Sequence, residues 1–236
     1  MFTPRRVVWI LTLAALLWAA PAFGQQTYVT RYDLFTGYTF LDSPHVGLFE
    51  NGFHAQFGVR PKKWYSLGLD YSFSKGNLTL TPDLLPVPLQ QQLGAQLAGL
   101  AAAGLLPPGY TLVVPANSTT NEFAVGPQLA YRHFSKLTLF IRPSFGAIHE
   151  TGTPRPRDPI AALVAQQLAP TGKKRDWQGF YGFGGGFDIL FTKNFGWRVQ
   201  SDLVYDHLFN DLLKDGRWTV RFSVGPCFNF GRNIVE

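Results

Sequence analysis

Hydrophobic and polar residues alternate with a period of two through much of the chain. From Phe53 to Arg60 every odd position is apolar and every even one is polar or glycine. The same beat runs through Tyr65–Ser74, where Leu67, Leu69, Tyr71 and Phe73 alternate with Gly68, Asp70, Ser72 and Ser74. It recurs from Glu122 to Tyr131, from Tyr181 to Ile189 and from Trp218 to Phe230. Successive strand residues point to opposite sides, so alternation of this length predicts strands with one apolar and one polar face. Three weaker stretches bring the set to eight: Tyr28–Phe40, with aromatics on both faces and no clear register, Leu137–His149, and Trp197–Tyr205. Each is near the roughly 9–11 residues of a tilted membrane strand.

The connections sort by length. Residues 61–63, 132–136 and 192–194 read as short turns, whereas 41–51, 75–120, 150–176 and 208–216 read as longer loops. Short turns at one rim and long loops at the other mark a membrane β-barrel, and a soluble sandwich has no reason to sort its loops this way. The second and third long loops carry helical spacing of their own. Within 88–106, Leu89, Leu93, Leu97 and Leu100 share one helical face, bounded by prolines at 86, 88, 107 and 108. Within 158–168, Asp158 supplies a cap, Pro159 a first-turn proline, and Ile160, Leu163, Val164 and Leu168 an apolar side. The two helices are expected to pack on each other as a cap at the outer mouth. Mobile loops with transient helicity are the alternative.

The N-terminus sets the compartment. Arg5 and Arg6 precede an apolar run from Val7 to Ala20, and Ala22-Phe23-Gly24 supplies small residues around a cleavage point. That order reads as a signal peptide over residues 1–24, leaving 25–236 as one mature domain. A retained anchor is the alternative, but the run is short beside the roughly 20 residues a spanning helix needs. Cleavage removes two arginines and no acid, so the formal charge falls from +6 to +6 − 2 = +4. A charge this mild and dispersed gives no reason to expect a nucleic-acid partner. Cys227 is the only cysteine, which excludes an internal disulfide.

Composition then decides which face meets what. Aromatics make up 15% of the chain, yet no mature segment is apolar for long enough to form a spanning helix. In a sandwich the aromatic faces would form the core; in a membrane barrel they meet lipid and the polar faces line the interior. The polar faces are rich in Gly, Ser and Ala, with isolated charges at Asp70, Glu122, Arg142, Asp188, Arg198, Asp202 and Arg221. Small residues with scattered opposite charges suit a narrow enclosed wall in which the charges pair. Trp64, Tyr65, Tyr131, Trp197, Phe228 and Phe230 fall at the short-turn ends, and Trp177 and Trp218 near the long-loop ends, as two aromatic girdles would. The expected fold is therefore all-β: an eight-stranded antiparallel up-and-down transmembrane β-barrel, with short helices in the second and third long outer loops.

The last strand carries the most specific motif. Ser223 to Phe230 reads polar-x-Gly-x-x-aromatic-x-aromatic, with Gly225, Phe228 and Phe230 at the defining positions. It resembles the terminal signal read by the bacterial barrel-assembly machinery, although six further residues follow it. With the strand and loop pattern, residues 27–230 resemble the small eight-stranded barrels of the outer-membrane protein A and X families. That resemblance implies the bacterial outer membrane as the location, with its lipid and the assembly machinery as partners.

Candidate chemistry is sparse. No serine sits in a Gly-x-Ser-x-Gly elbow, and His149 with Glu150 and Ser144 is the nearest approach to a nucleophile–base set. No Cys/His cluster has metal-ligand spacing, and Gly182-Phe183-Gly184-Gly185-Gly186 lacks the lysine and helix of a phosphate loop, so no cofactor is expected. Lys173, Lys174 and Arg175, with Arg155 and Arg157, make the third loop basic, either as a solvated surface or as a contact for lipopolysaccharide phosphates. Three function classes follow: a non-enzymatic structural or surface-interaction barrel first, a narrow porin-like channel second, and a lipid-A-modifying enzyme third. The leader is directly checkable. Intact-mass analysis of exported protein should place the mature N-terminus at Gln25, and a mass retaining residues 1–24 would remove the signal-peptide reading.

Overall fold

The computed structural model describes residues 26–234, so the leader expected over residues 1–24 lies outside the described residues. Eight strands form one closed antiparallel ring: β1 Thr30–Ser43, β2 Leu48–Lys62, β3 Tyr65–Leu80, β4 Val114–Tyr131, β5 Leu137–Pro154, β6 Lys174–Leu190, β7 Phe195–Asp206 and β8 Arg217–Asn233. Each strand pairs with its neighbours in sequence, and β1 closes on β8 through pairs such as Leu34–Phe228 and Leu41–Arg221. Closure leaves no strand edge, a condition that hydrocarbon imposes because it offers backbone groups no partner.

The strands run further than period-two segments alone suggested. At 18 residues β4 extends about 60 Å along the chain, or about 45 Å in height at a tilt near 40°. The apolar band of a membrane barrel is only about 25 Å tall, so strands of this length exceed such a band on the long-loop side. On the outward face of β4 the change is sharp: Leu129, Pro127, Val125 and Phe123 give way to Asn121, Thr119 and Asn117. The first outer connection consequently shrinks from the expected 41–51 to residues 44–47, a short 3-10 turn ending at Gly47 in the left-handed region (φ 56°).

The two loop helices form as expected, α1 over Val87–Ala102 and α2 over Pro159–Leu168. Leu93 of α1 and Ala161, Val164 and Ala165 of α2 join one buried cluster with Leu85, Leu112 and Val114, flanked by Leu89, Leu97 and Leu168. The face of α2 is rotated from the expected one. Ala161 and Ala165 pack inward while Leu163 is 62% exposed, because small residues let this short helix sit close to the barrel rim. Asp158 caps α2 by accepting from the Ala161 amide at 2.8 Å, and the Tyr110 hydroxyl donates to the same oxygen at 2.9 Å.

The Ala161 amide, with Tyr110, holds the Asp158 carboxyl below its usual range, while burial, reinforced by Asp158, pushes the Tyr110 phenol up to about 12. The lowered Asp158 value stabilises the cap above pH 3.8 and is lost as pH falls through its folded value. The raised Tyr110 value stabilises it below pH 10 and is lost as pH rises toward 12. The protection of the Ala161 amide, its exchange rate relative to the intrinsic rate at the same pH, should therefore be greatest between those limits, and a protection factor that does not change with pH would contradict the cap. Space makes a second expectation. A Cβ on Gly184 would collide with the Asp202 carboxylate and the Ser201 carbonyl, whereas Gly94 of α1 has open space. Gly184→Ala should cost about 1–3 kcal/mol in urea unfolding from micelles, while Gly94→Ala should be neutral or stabilising by up to about 1 kcal/mol.

Candidate functional site

The interior is the chemically dense part of the molecule. Inward positions of the strands carry buried charges arranged in tiers, each tied across the lumen. Nearest the short turns, Asp33 lies between Arg60 at 3.3 Å and Arg198 at 3.1 Å. Arg198 also grips Asp188, with Nε–Oδ1 at 2.6 Å and Nη2–Oδ2 at 2.9 Å, and donates to Gln56 at 2.9 Å. Its guanidinium sits over the rings of Phe140 and Phe35, at 4.8 and 5.6 Å. A planar cation between two rings with a bidentate acid is a geometry that arginine satisfies and lysine does not.

The middle tier centres on Arg221. It donates to Asp202 at 2.8 and 3.1 Å and reaches across the lumen to Glu122 at 2.6 Å. Ser72 donates to the same Glu122 carboxylate at 2.9 Å, and Arg142 pairs with Asp70 alongside. His54 shares a 2.9 Å hydrogen bond with Ser223. Nearest the long loops, Arg217 forks onto Asp206 at 3.0 and 3.1 Å and pairs with Glu150. Glu50 accepts from Ser74 and Thr120 at 2.5 and 3.0 Å.

The last loop folds into this end of the lumen. Leu208 and Phe209 bury against Ile148, Phe180 and Val204, with Leu212 and Leu213 beside them. Phe209 adopts φ 56°, unusual for a bulky residue, and its amide donates to Asp176 at 2.5 Å. Leu84 closes the same end with Val46 and Leu48, and the Lys214 amide donates to its carbonyl at 2.9 Å. An apolar cavity of about 70 Å³ remains between this plug and the base of α2.

The sequence-predicted interior charges Asp70, Glu122, Arg142, Asp188, Arg198, Asp202 and Arg221 all have side chains directed into the lumen and nearly inaccessible. The structure adds Asp33, Glu50, Arg60, Glu150, Asp206 and Arg217 to the same set. Cys227 is buried on the inner face. Rings point outward: Trp64, Tyr131, Trp177, Trp197, Trp218, Phe228 and Phe230 are each between 40% and 57% exposed, with Tyr65 half-buried beside Trp64. Several cluster on the outer wall with tilted rings in contact, among them Tyr181, Tyr205 and Trp218. Gly225 faces inward against the backbone of Thr36 on β1, where ring closure leaves no room for a side chain. His149 and Ser144 do not meet, since His149 stacks outward on Trp177 while Ser144 is buried in the lumen, and Glu150 is committed to Arg217. No cluster of three or more metal-ligating side chains occurs among the described residues.

This arrangement is an inverted globule, greasy outside and charged within. Comparison with solved structures agrees on the architecture. Neisserial surface protein A superposes with a TM-score of 0.52 at 8% identity, over 84% of this chain and 96% of that one. The chain has the fold of a small eight-stranded β-barrel. The barrels of the Yersinia pestis attachment invasion locus protein Ail (11% identity, 86% and 99% coverage, TM-score 0.47) and of OprG from Pseudomonas aeruginosa (6%, 88% and 99%, 0.44) are also similar. No protein-family model and no curated protein sequence matches the chain.

The tiers of this barrel make a testable energetic claim. Removing one member of a buried ion network strands its partners in a medium that cannot solvate them. Arg221→Met should lower unfolding free energy in micelles by about 3–5 kcal/mol, and the triple variant that adds Asp202→Asn and Glu122→Gln should recover most of the loss. Equal stability of Arg221→Met and the parent would show that the network is not coupled.

Proposed function

We propose that the protein resides in the bacterial outer membrane as a closed barrel with a structural or surface-interaction role, carried by the wall and loops that project beyond the lipid. The observation that carries this reading is the filled lumen. Arg198, Arg221 and Arg217 each bridge acids from different sides of the ring, and the Leu208–Leu213 segment covers the outer end. Eight strands leave an interior that side chains can fill, and here cross-lumen ion pairs occupy it, which disfavours free solute passage. Variety is concentrated instead in α1, α2 and their loops, the parts a rigid scaffold presents to other molecules.

The same reading gives the C-terminal strand and the rim their roles. Gly225, Phe228 and Phe230 supply the signal for the assembly machinery, the outward aromatics seat the barrel between the two headgroup layers, and lipopolysaccharide surrounds the projecting wall. The reading is non-enzymatic, supported by the separation of His149 from Ser144 across the barrel wall. Planar-bilayer recording distinguishes it from a channel. The wild-type barrel should show no stable open level, and deletion of residues 208–213 should leave it closed as long as the arginine tiers persist. A steady conductance in the wild type would favour the channel and end the closed-barrel reading.

A further inference from the structure

The outward wall of β3–β6 changes character just above the apolar band. Strand register aligns Lys75, Thr119, Thr151 and Arg175 in one row across these four strands. All four positions face away from the lumen, the two cations being exposed. With neighbouring strands about 4.8 Å apart, the cations stand roughly 14 Å from each other along the sheet. The next row toward the proposed lipid boundary contains Phe73 at one end and Trp177 at the other, the latter 57% exposed and stacked on His149 at 4.5 Å, aromatic residues of the kind that settle at headgroup depth.

Charge pairing sets the row apart. Every lumenal arginine named above is matched by an acid, whereas neither Lys75 nor Arg175 has a salt-bridge partner among the described residues. Outward positions of β3–β6 contain no Asp or Glu at any level. Lys75 instead leans over the Phe73 ring at 5.2 Å, toward the lipid boundary. A row with cations at both ends, hydroxyls between them, no acid and an indole beneath fits an anionic, hydroxyl-rich headgroup whose acyl chains lie along the aromatic wall.

We infer that the Lys75–Thr119–Thr151–Arg175 row is a binding site for the phosphorylated saccharide headgroup of an outer-leaflet glycolipid. The inference rests on the membrane orientation proposed above and adds a defined site to it. The site lies on the barrel wall and not in the basic loop containing Arg155, Arg157 and Lys173.

The test uses the full mature chain, folded in detergent and titrated with bisphosphorylated lipid A, its dephosphorylated form, or phosphatidylglycerol, with bound lipid counted by native mass spectrometry. Lipid A should bind in preference to both others. Lys75→Gln with Arg175→Gln should weaken lipid A binding about 30-fold, the expected effect of two headgroup-level cations. Arg155→Gln, Arg157→Gln and Lys173→Gln together should change it less than twofold. Equal binding of the dephosphorylated lipid, equal binding of phosphatidylglycerol, an unaffected double variant, or loss confined to the loop variant would each overturn the site. Failure of the wild-type chain to show a heat-dependent gel shift or to enter vesicles would instead overturn the membrane reading, and the site with it.

Discussion

Hydrocarbon offers a polypeptide neither hydrogen-bond partners nor a dielectric that tolerates charge, and the structure follows from meeting both restrictions at once. Backbone groups are satisfied by running eight strands into a ring with no edge, so β1 must pair with β8 as fully as any sequential neighbours do. Side chains are satisfied by sending the acids and their paired arginines inward and most large rings outward, with Phe35 and Phe140 turned in against Arg198 and with Lys75 and Arg175 left on the outer wall. Burying so many ions is tolerable only because they are partnered. Arginine is the cation at each tier, since its planar fork can hold two carboxylates while its faces rest on Phe35 and Phe140.

Space inside the ring is the second constraint, and it links the glycines to the charges. Gly58 lies against the Asp33 carboxylate and Gly184 against that of Asp202, so a methyl at either position would displace an acid from its arginine. The run 182–186 thus accommodates the opposing side chains of β5 and β7. Filling the lumen in turn shifts the interaction chemistry to the outside. What remains available is the wall above the apolar band, the cluster joining α1 to α2, and the inward-turned last loop that seals the end.

How much of this was legible in the sequence depended on where the two-residue period was clean. It was clean from Phe53 to Ser74 and over Trp218–Phe230, and there the inward and outward sets could be read directly. It failed in Tyr28–Phe40 because Phe35 is fully buried against Arg198 and His54, so an aromatic occupies the polar face and hides Asp33 beside it. Glu50, Glu150, Asp206 and Arg217 were hidden for a different reason. The strands continue past the lipid, where outward residues become polar, the contrast between faces fades, and strand resembles loop. Arg60 and His54 stood at even positions of the cleanest segment, so their inward placement was available from alternation alone. The inward Leu208–Leu213 plug had only a weak trace, two apolar pairs four residues apart in a short loop, and strand register was needed to show what they cover.

The central claim is that odd and even residues of one strand meet different media, and site-directed spin labelling along β4 tests it most directly. With Cys227 replaced by alanine and single labels introduced in turn at Phe123, Val125 and Leu129 and at Ala124 and Gln128, oxygen and a water-soluble nickel complex report each environment in bilayers. Labels at the three odd positions should show high oxygen and low nickel accessibility, and labels at the even ones should exclude both reagents. Nickel accessibility at Phe123, Val125 and Leu129, or oxygen-rich even positions, would mean that the greasy face does not lie in lipid.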